Sequence, residues 1–172
     1  SYVDTRHNVG VTFLEYLADC HGIEFDFRDS LASFGTGTID GSDVALCKTS
    51  TYMNSSGSAV SYLLRKFKKT SSDLLVIHDD MDLPLGKVRI KASGSSGGHK
   101  GVDSVIDSIC TPTFQRLRIG IGRPEKEDEV KYVLGLFSKK EVEILKNSQE
   151  LIAKAVSSIV NDGIDSAMNQ FN

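Results

Sequence analysis

Apolar residues recur at helical spacing through Val9, Phe13, Leu17 and Cys20, and Gly22 marks the stop of that predicted helix. Phe34–Ile39 and Val44–Thr49 then read as strands, joined by a turn carrying Asp40-Gly41, a pair that favours hairpins. Ala59, Val60, Leu63, Leu64 and Phe67 mark a second helix, closed by the basic run Lys66-Phe67-Lys68-Lys69. Leu74-Leu75-Val76-Ile77 is apolar throughout, as a buried central strand requires, and it empties into His78-Asp79-Asp80-Met81-Asp82. A basic strand over Lys87–Lys91 and a further strand over Phe114–Gly120 flank a helix beginning near His99. Ser138 and Glu141 form a capping box, opening a long helix through Val142, Leu145, Ile152, Val156 and Ile159 toward Gly163. Strands alternating with helices predict an α/β fold: a single domain over residues 1–172, with a mixed central sheet flanked by helices. The hairpin is what makes this predicted sheet mixed.

Composition narrows the class. The 172 residues suffice for one core, and 40% apolar with 25% charged content is that of a globular protein. No apolar run approaches the roughly 20 residues that span a bilayer, and no secretory signal opens the sequence. Cys20, Cys47 and Cys110 are widely spaced and contain no CxxC pair, which points to a reducing cytosolic setting rather than a zinc or disulfide framework.

Charge is segregated. The net value is only −3, yet between Pro84 and Pro124 seven cations (Lys87, Arg89, Lys91, Lys100, Arg116, Arg118, Arg123) face only Asp103 and Asp107. Such a basic zone on an acidic body predicts a polyanion footprint, the alternative being a strand face paired with acidic neighbours. Arg116 and Arg118 fall on one side of a strand, which predicts a compact double cation. Gly94-Ser95-Ser96-Gly97-Gly98-His99-Lys100-Gly101 is a glycine-rich entry to a helix, suited to an anion or to a tight connection; it is not a Walker loop, because Gly101 follows the lysine.

Asp79 lies at the end of the most buried-looking strand, where α/β sheets gather their sites, and it is placed to orient a histidine. Asp79, Asp80 and Asp82 without a histidine cluster at ligand spacing make a weak metal signal. Asn54, in the turn Tyr52–Gly57, is either a helix cap or an amide donor to an oxyanion or a water. His21 and His78 read as structural. His7 is either structural or catalytic on sequence alone.

Taken together, Tyr2-x3-Arg6-His7-Asn8-x-Gly10, Thr51-Tyr52-Met53-Asn54-x-Ser56-Gly57, His78-Asp79-x2-Asp82-Leu83-Pro84-x-Gly86, Gly97-Gly98-His99-x-Gly101 and Arg116–Pro124 resemble bacterial-type peptidyl-tRNA hydrolase in order and approximate spacing. The resemblance covers nearly the whole chain. It implies hydrolysis of the ester between peptide and tRNA, recycling tRNA in translation, by a cytoplasmic monomer that needs no metal or cofactor. It implies His7 as general base, Asp79 holding and polarising its imidazole, and Asn54 on the carbonyl or the water. Met53 and Tyr2 would line the peptide or terminal-nucleotide site, and Lys91 and Arg118 would clamp tRNA phosphates. The sequence departs from the family in two ways. It begins after the family's first strand and Asn-bearing turn, so an upstream stretch is expected in the native polypeptide. Lys100 stands where the family commonly has Asn; lysine donates but cannot accept a hydrogen bond, which makes it an expected tRNA contact. A noncatalytic RNA-binding relative of the family is the alternative reading.

Overall fold

The computed structural model describes residues 5–124 and 128–172. Its elements run α1 (Val9–His21), β1 (Phe27–Arg28), β2 (Ala32–Ile39), β3 (Ser42–Thr49), α2 (Ser56–Phe67), β4 (Leu75–Asp80), β5 (Val88–Lys91), α3 (Lys100–Ile109), β6 (Gln115–Gly120), α4 (Glu129–Val133), α5 (Lys139–Asp162) and α6 (Ile164–Phe171). This is the α/β alternation that the apolar pattern predicts.

Two three-stranded sheets form, ordered β1-β2-β3 and β4-β6-β5. β2 and β3 pair antiparallel with Ile39 opposite Ser42, so Asp40 and Gly41 alone make the turn. Both have positive φ (48° and 87°), the geometry that two-residue hairpins demand and that Asp-Gly tolerates. The hairpin therefore forms as expected but belongs to its own sheet with β1, and the mixed sheet arises elsewhere. In the second sheet, Gln115 N–H bonds the Leu74 carbonyl and Ile121 N–H the Asp80 carbonyl, so β4 and β6 advance in step and run parallel. β5 meets β6 where Gly120 N–H bonds the Lys87 carbonyl. From that point β5 rises in number while β6 falls, which makes the pair antiparallel.

β4 also corrects an expectation. It continues through His78, Asp79 and Asp80 instead of ending at Ile77, and its apolar Leu75–Ile77 are half-buried while His78 and Asp79 are buried. Hydropathy counts His and Asp as loop residues; paired polar atoms can occupy a strand interior as well as apolar ones.

The chain divides into two compact units, to which β4, β5 and β6 each contribute residues. The first comprises Ser1–Leu17, Ile77–Ile90 and Leu117–Asn172. Its core takes Val9, Phe13 and Leu17 from α1, Leu117 and Ile119 from β6, and Leu145, Ile152, Val156 and Ile159 from α5. Each helical set recurs at intervals of three, four or seven residues, the stripe that one buried helix face needs. The predicted capping box opens α5: Ser138 Oγ accepts Glu141 N–H at 3.4 Å while Glu141 Oε2 accepts Ser138 N–H at 2.7 Å.

The second unit comprises Ala18–Val76 and Lys91–Arg116. Val60 of α2, Val102 and Val105 of α3, and Phe114 form one cluster; Ala32, Phe34 and Leu63 form another. α2 and α3 approach so closely at Gly57 that its N–H reaches Ser104 Oγ at 3.0 Å. A methyl at Gly57 would lie 1.9 Å from the Ser104 carbonyl oxygen and 2.3 Å from Ser108 Oγ. Alanine would gain about 1 kcal/mol of helix propensity over glycine. A backbone clash of this depth outweighs that gain, because overpacking costs about 1–3 kcal/mol or more. Gly57→Ala should therefore lower the denaturant midpoint by an amount equivalent to about 1 kcal/mol or more; an unchanged or raised midpoint would show that the helices part at no cost.

Candidate active site

In the first unit, residues Arg6–Asn8 form a single 3₁₀ turn that runs straight into α1. α1 lies against the backbone of β4: a Cβ at Gly10 would sit 2.5 Å from the Ile77 carbonyl oxygen. Only a residue without a side chain permits that approach. The consequence is local geometry. His7 precedes Gly10 by about one helical turn, and Asp79 follows Ile77 by two strand residues, on the same face. Their side chains meet: His7 Nδ1 lies 2.8 Å from Asp79 Oδ1.

Asp79 is 3% exposed and His7 16%. A carboxylate buried to this degree is costly unless its charge and lone pairs are satisfied. An ionised carboxylate only accepts, so His7 Nδ1–H donates, and the neutral imidazole then carries its basic lone pair on Nε2. An ionised Asp79 would thus select this tautomer and set a negative charge behind the imidazole. His78 is buried and its Nδ1 donates to the Asp79 carbonyl at 2.7 Å, while His21 ends α1.

The carboxylates after Asp79 diverge. Asp80 pairs with Arg118, and its Oδ1 accepts Asp82 N–H at 2.8 Å. Asp82 takes Arg123, which also bonds Glu129 at 2.6 Å. Asp80 and Asp82 thus hold different arginines, while Asp79 meets the His7 imidazole.

This partitions the basic zone. Arg118 and Arg123 are ion-paired, and Arg116 is 2% exposed, donating to the carbonyls of Ser95, Gly94 and Pro112. The predicted double cation at Arg116 and Arg118 does not form, because loop carbonyls enclose the Arg116 guanidinium and Asp80 pairs with the Nε of Arg118. Lys87, Arg89 and Lys91 are exposed, alternating with buried Val88 and Ile90 along β5, and Lys100 is exposed at the start of α3.

In the second unit, the glycine-rich entry is an internal cap. Gly97 and Gly98 take positive φ (62° and 83°), turning the chain so that His99 Nδ1 accepts Gly101 and Val102 N–H, each at 3.2 Å. Those two donors are therefore already engaged, which disfavours the anion-cradle reading of this loop. Met53 and Asn54 lie in the one-turn helix Met53–Ser55 ahead of α2. Asn54 is exposed, and Ser55, the N-cap of α2, makes no side-chain cap bond; Met53 packs beside Gly101, where a Cβ would meet its sulfur at 2.5 Å. Tyr2 lies outside the described residues. Burial pushes the Cys47 thiol up to about 11, so it stays protonated and is no nucleophile near neutral pH.

Gly10 and Arg6 stand within the motif Tyr2-x3-Arg6-His7-Asn8-x-Gly10, where the sequence alone assigns neither a role. The signal for Gly10 was a glycine inside an amphipathic helix, which costs propensity and so implies a close approach.

Comparison with known proteins gives one answer. The family model described as peptidyl-tRNA hydrolase matches residues 1–172. The chain is 42% identical over 175 residues to the peptidyl-tRNA hydrolase of Dehalococcoides mccartyi, covering 99% of this chain and 93% of that one. It is 41% identical over 171 residues to that of Clostridium botulinum, covering 99% and 90%. The crystal structure of peptidyl-tRNA hydrolase from Acinetobacter baumannii superposes with a TM-score of 0.92 at 37% identity, covering 99% of this chain and 88% of that chain.

Gly10→Ala tests the geometry directly. The methyl must push α1 off β4, costing about 1–3 kcal/mol of stability and parting His7 from Asp79. In proton NMR the downfield Nδ1–H resonance of His7 should weaken or vanish in the folded variant; its persistence unchanged would mean that the contact does not depend on this approach.

Proposed function

The chain belongs to the peptidyl-tRNA hydrolase family, and we propose that it hydrolyses the ester between a peptide and the terminal ribose of tRNA, with His7 as general base. The contact between His7 and a buried Asp79 carboxylate carries this reading. His7 Nε2 takes a proton from water as the water oxygen attacks the ester carbonyl carbon. Asp79 stabilises the imidazolium that results. The Asn54 amide donates to the carbonyl oxygen as it becomes an oxyanion, or holds the water. The tetrahedral species then expels the ribose oxygen, which recovers the proton from the imidazolium. An ester has a better leaving group than an amide, so this sequence demands neither a covalent intermediate nor a metal.

Met53 and Tyr2 contribute to the peptide or terminal-nucleotide site. Lys91, Lys100 and Arg118 contact tRNA phosphates. Exposure of Lys91 and Lys100 supports that assignment, while Asp80 holds Arg118 in a fixed orientation at 20% exposure, able to offer its outer N–H groups as a rigid fork. Recognition by phosphates and shape suits an enzyme that must accept many tRNAs. The reading makes the protein a cytoplasmic monomer, as family membership suggests. Separately, no described helix is long and apolar enough to cross a membrane. The oriented imidazole favours the hydrolase over a noncatalytic RNA-binding relative.

His7→Ala should abolish measurable peptide release from a defined peptidyl-tRNA while leaving affinity for tRNA close to the parent's. Undiminished release would remove His7 from the mechanism. Lys91→Ala should weaken tRNA binding and flatten the log–log dependence of affinity on salt by about one unit. An identical salt slope would count against a phosphate contact at Lys91.

A further inference from the structure

The Arg6 side chain, next to His7, is held by hydrogen bonds, an ion pair and two aromatic rings, and the mechanism above gives it no part. It is 12% exposed. Its Nη2 donates to both Glu141 oxygens at 3.0 and 3.1 Å, and its Nη1 to the Leu136 carbonyl at 2.8 Å. The guanidinium carbon lies 4.4 Å from the Tyr132 ring centroid and 5.2 Å from that of Phe137, within cation–π range of both. The backbone joins in: Arg6 N–H bonds the Gly135 carbonyl at 3.0 Å, and Thr5 bridges to Leu136.

The parts that grip Arg6 are themselves held. Glu141 is the capping-box carboxylate of α5, and Tyr132 O–H donates to the Ile121 carbonyl at 2.7 Å, just beyond β6. Burial draws the Glu141 carboxyl upward, but the Ser138 donors and Arg6 more than offset this and keep it below its ordinary range.

His7 by contrast stands in a turn of three residues, a length at which 3₁₀ structure has little rigidity of its own. Its orientation must be imposed from its two sides. Downstream the constraint is α1, seated on β4 at Gly10; upstream it is Arg6. We propose that Arg6, locked to Glu141 and the Leu136 carbonyl, is a positioning residue that holds the His7 imidazole at the angle its bond to Asp79 requires. The inference rests on the reading of His7 as base.

Lysine would keep the charge but cannot bond both carboxylate oxygens and the carbonyl in one plane. The test is Arg6→Lys in the full chain, with steady-state kinetics on peptidyl-tRNA and proton NMR of His7 well below the unfolding temperature. The expected result is a kcat lower by about 10–100-fold, the scale of a small misplacement of a catalytic group, with KM nearly unchanged. The His7 Nδ1–H resonance should shift or broaden. A role confined to anchoring α5 would lower thermal stability and leave the folded enzyme's kcat and the His7 resonance at parental values, and that outcome would overturn the proposal. A fall in kcat with an unaltered His7 resonance would overturn it too.

Should Arg6→Lys fail to fold, Phe137→Leu, which removes one ring from the guanidinium, decides. Reduced kcat at unchanged KM supports the positioning role, and parental kcat refutes it. His7→Ala separates the two readings: its retaining turnover would sink the base assignment, whereas an inactive His7→Ala beside a fully active Arg6→Lys would sink only the positioning role.

Discussion

The buried carboxylate of Asp79 is the constraint on which the candidate site depends. A negative charge at this depth in a strand must be matched by donors, and the donor found for it is an imidazole from 72 residues earlier in the chain. That requirement explains several features at once. The first helix must lie on the strand backbone, which dictates glycine at position 10. The residue at 7 donates to the carboxylate from one ring nitrogen and keeps a lone pair that is basic near neutral pH on the other, a combination that histidine supplies. Stability and chemistry therefore draw on the same contact.

The neighbouring charges follow a similar economy. Asp79, Asp80 and Asp82 occur within four positions, yet each is directed to a separate partner. Pairing of Asp80 with Arg118 and of Asp82 with Arg123 offsets repulsion among the carboxylates. Arg116 is spent inside, on carbonyls that fix the loop ahead of α3. The cations left at the surface of β5 are those whose alternation puts them opposite buried Val88 and Ile90.

Much of the fold was legible because its signals are local. The Asp40-Gly41 turn, the Ser138/Glu141 capping box and the stripe Val9, Phe13, Leu17 each specify structure within a few residues, and each appears where expected. What sequence could not reveal was longer in range. Strand alternation put Arg116 and Arg118 on one side, but not that carbonyls of residues 94, 95 and 112 would enclose the first. Hydropathy ended β4 too early, because burial of Asp79 depends on a partner elsewhere in the chain. The glycine-rich entry to α3 looked open to an anion because a histidine cap accepting through Nδ1 is not among the usual capping residues. The meeting of His7 and Asp79 was expected only through resemblance to a family; spacing alone carries no trace of it.

The central claim is that the negative charge of Asp79, and not merely its shape, makes His7 an effective base. Single-turnover peptide release by Asp79→Asn tests it most directly, since the substitution keeps the side-chain volume while removing the charge and allowing the wrong imidazole tautomer. The account predicts a rate lower by about 10²–10⁴-fold at saturating enzyme, with tRNA affinity preserved. A release rate equal to the parent's would contradict it.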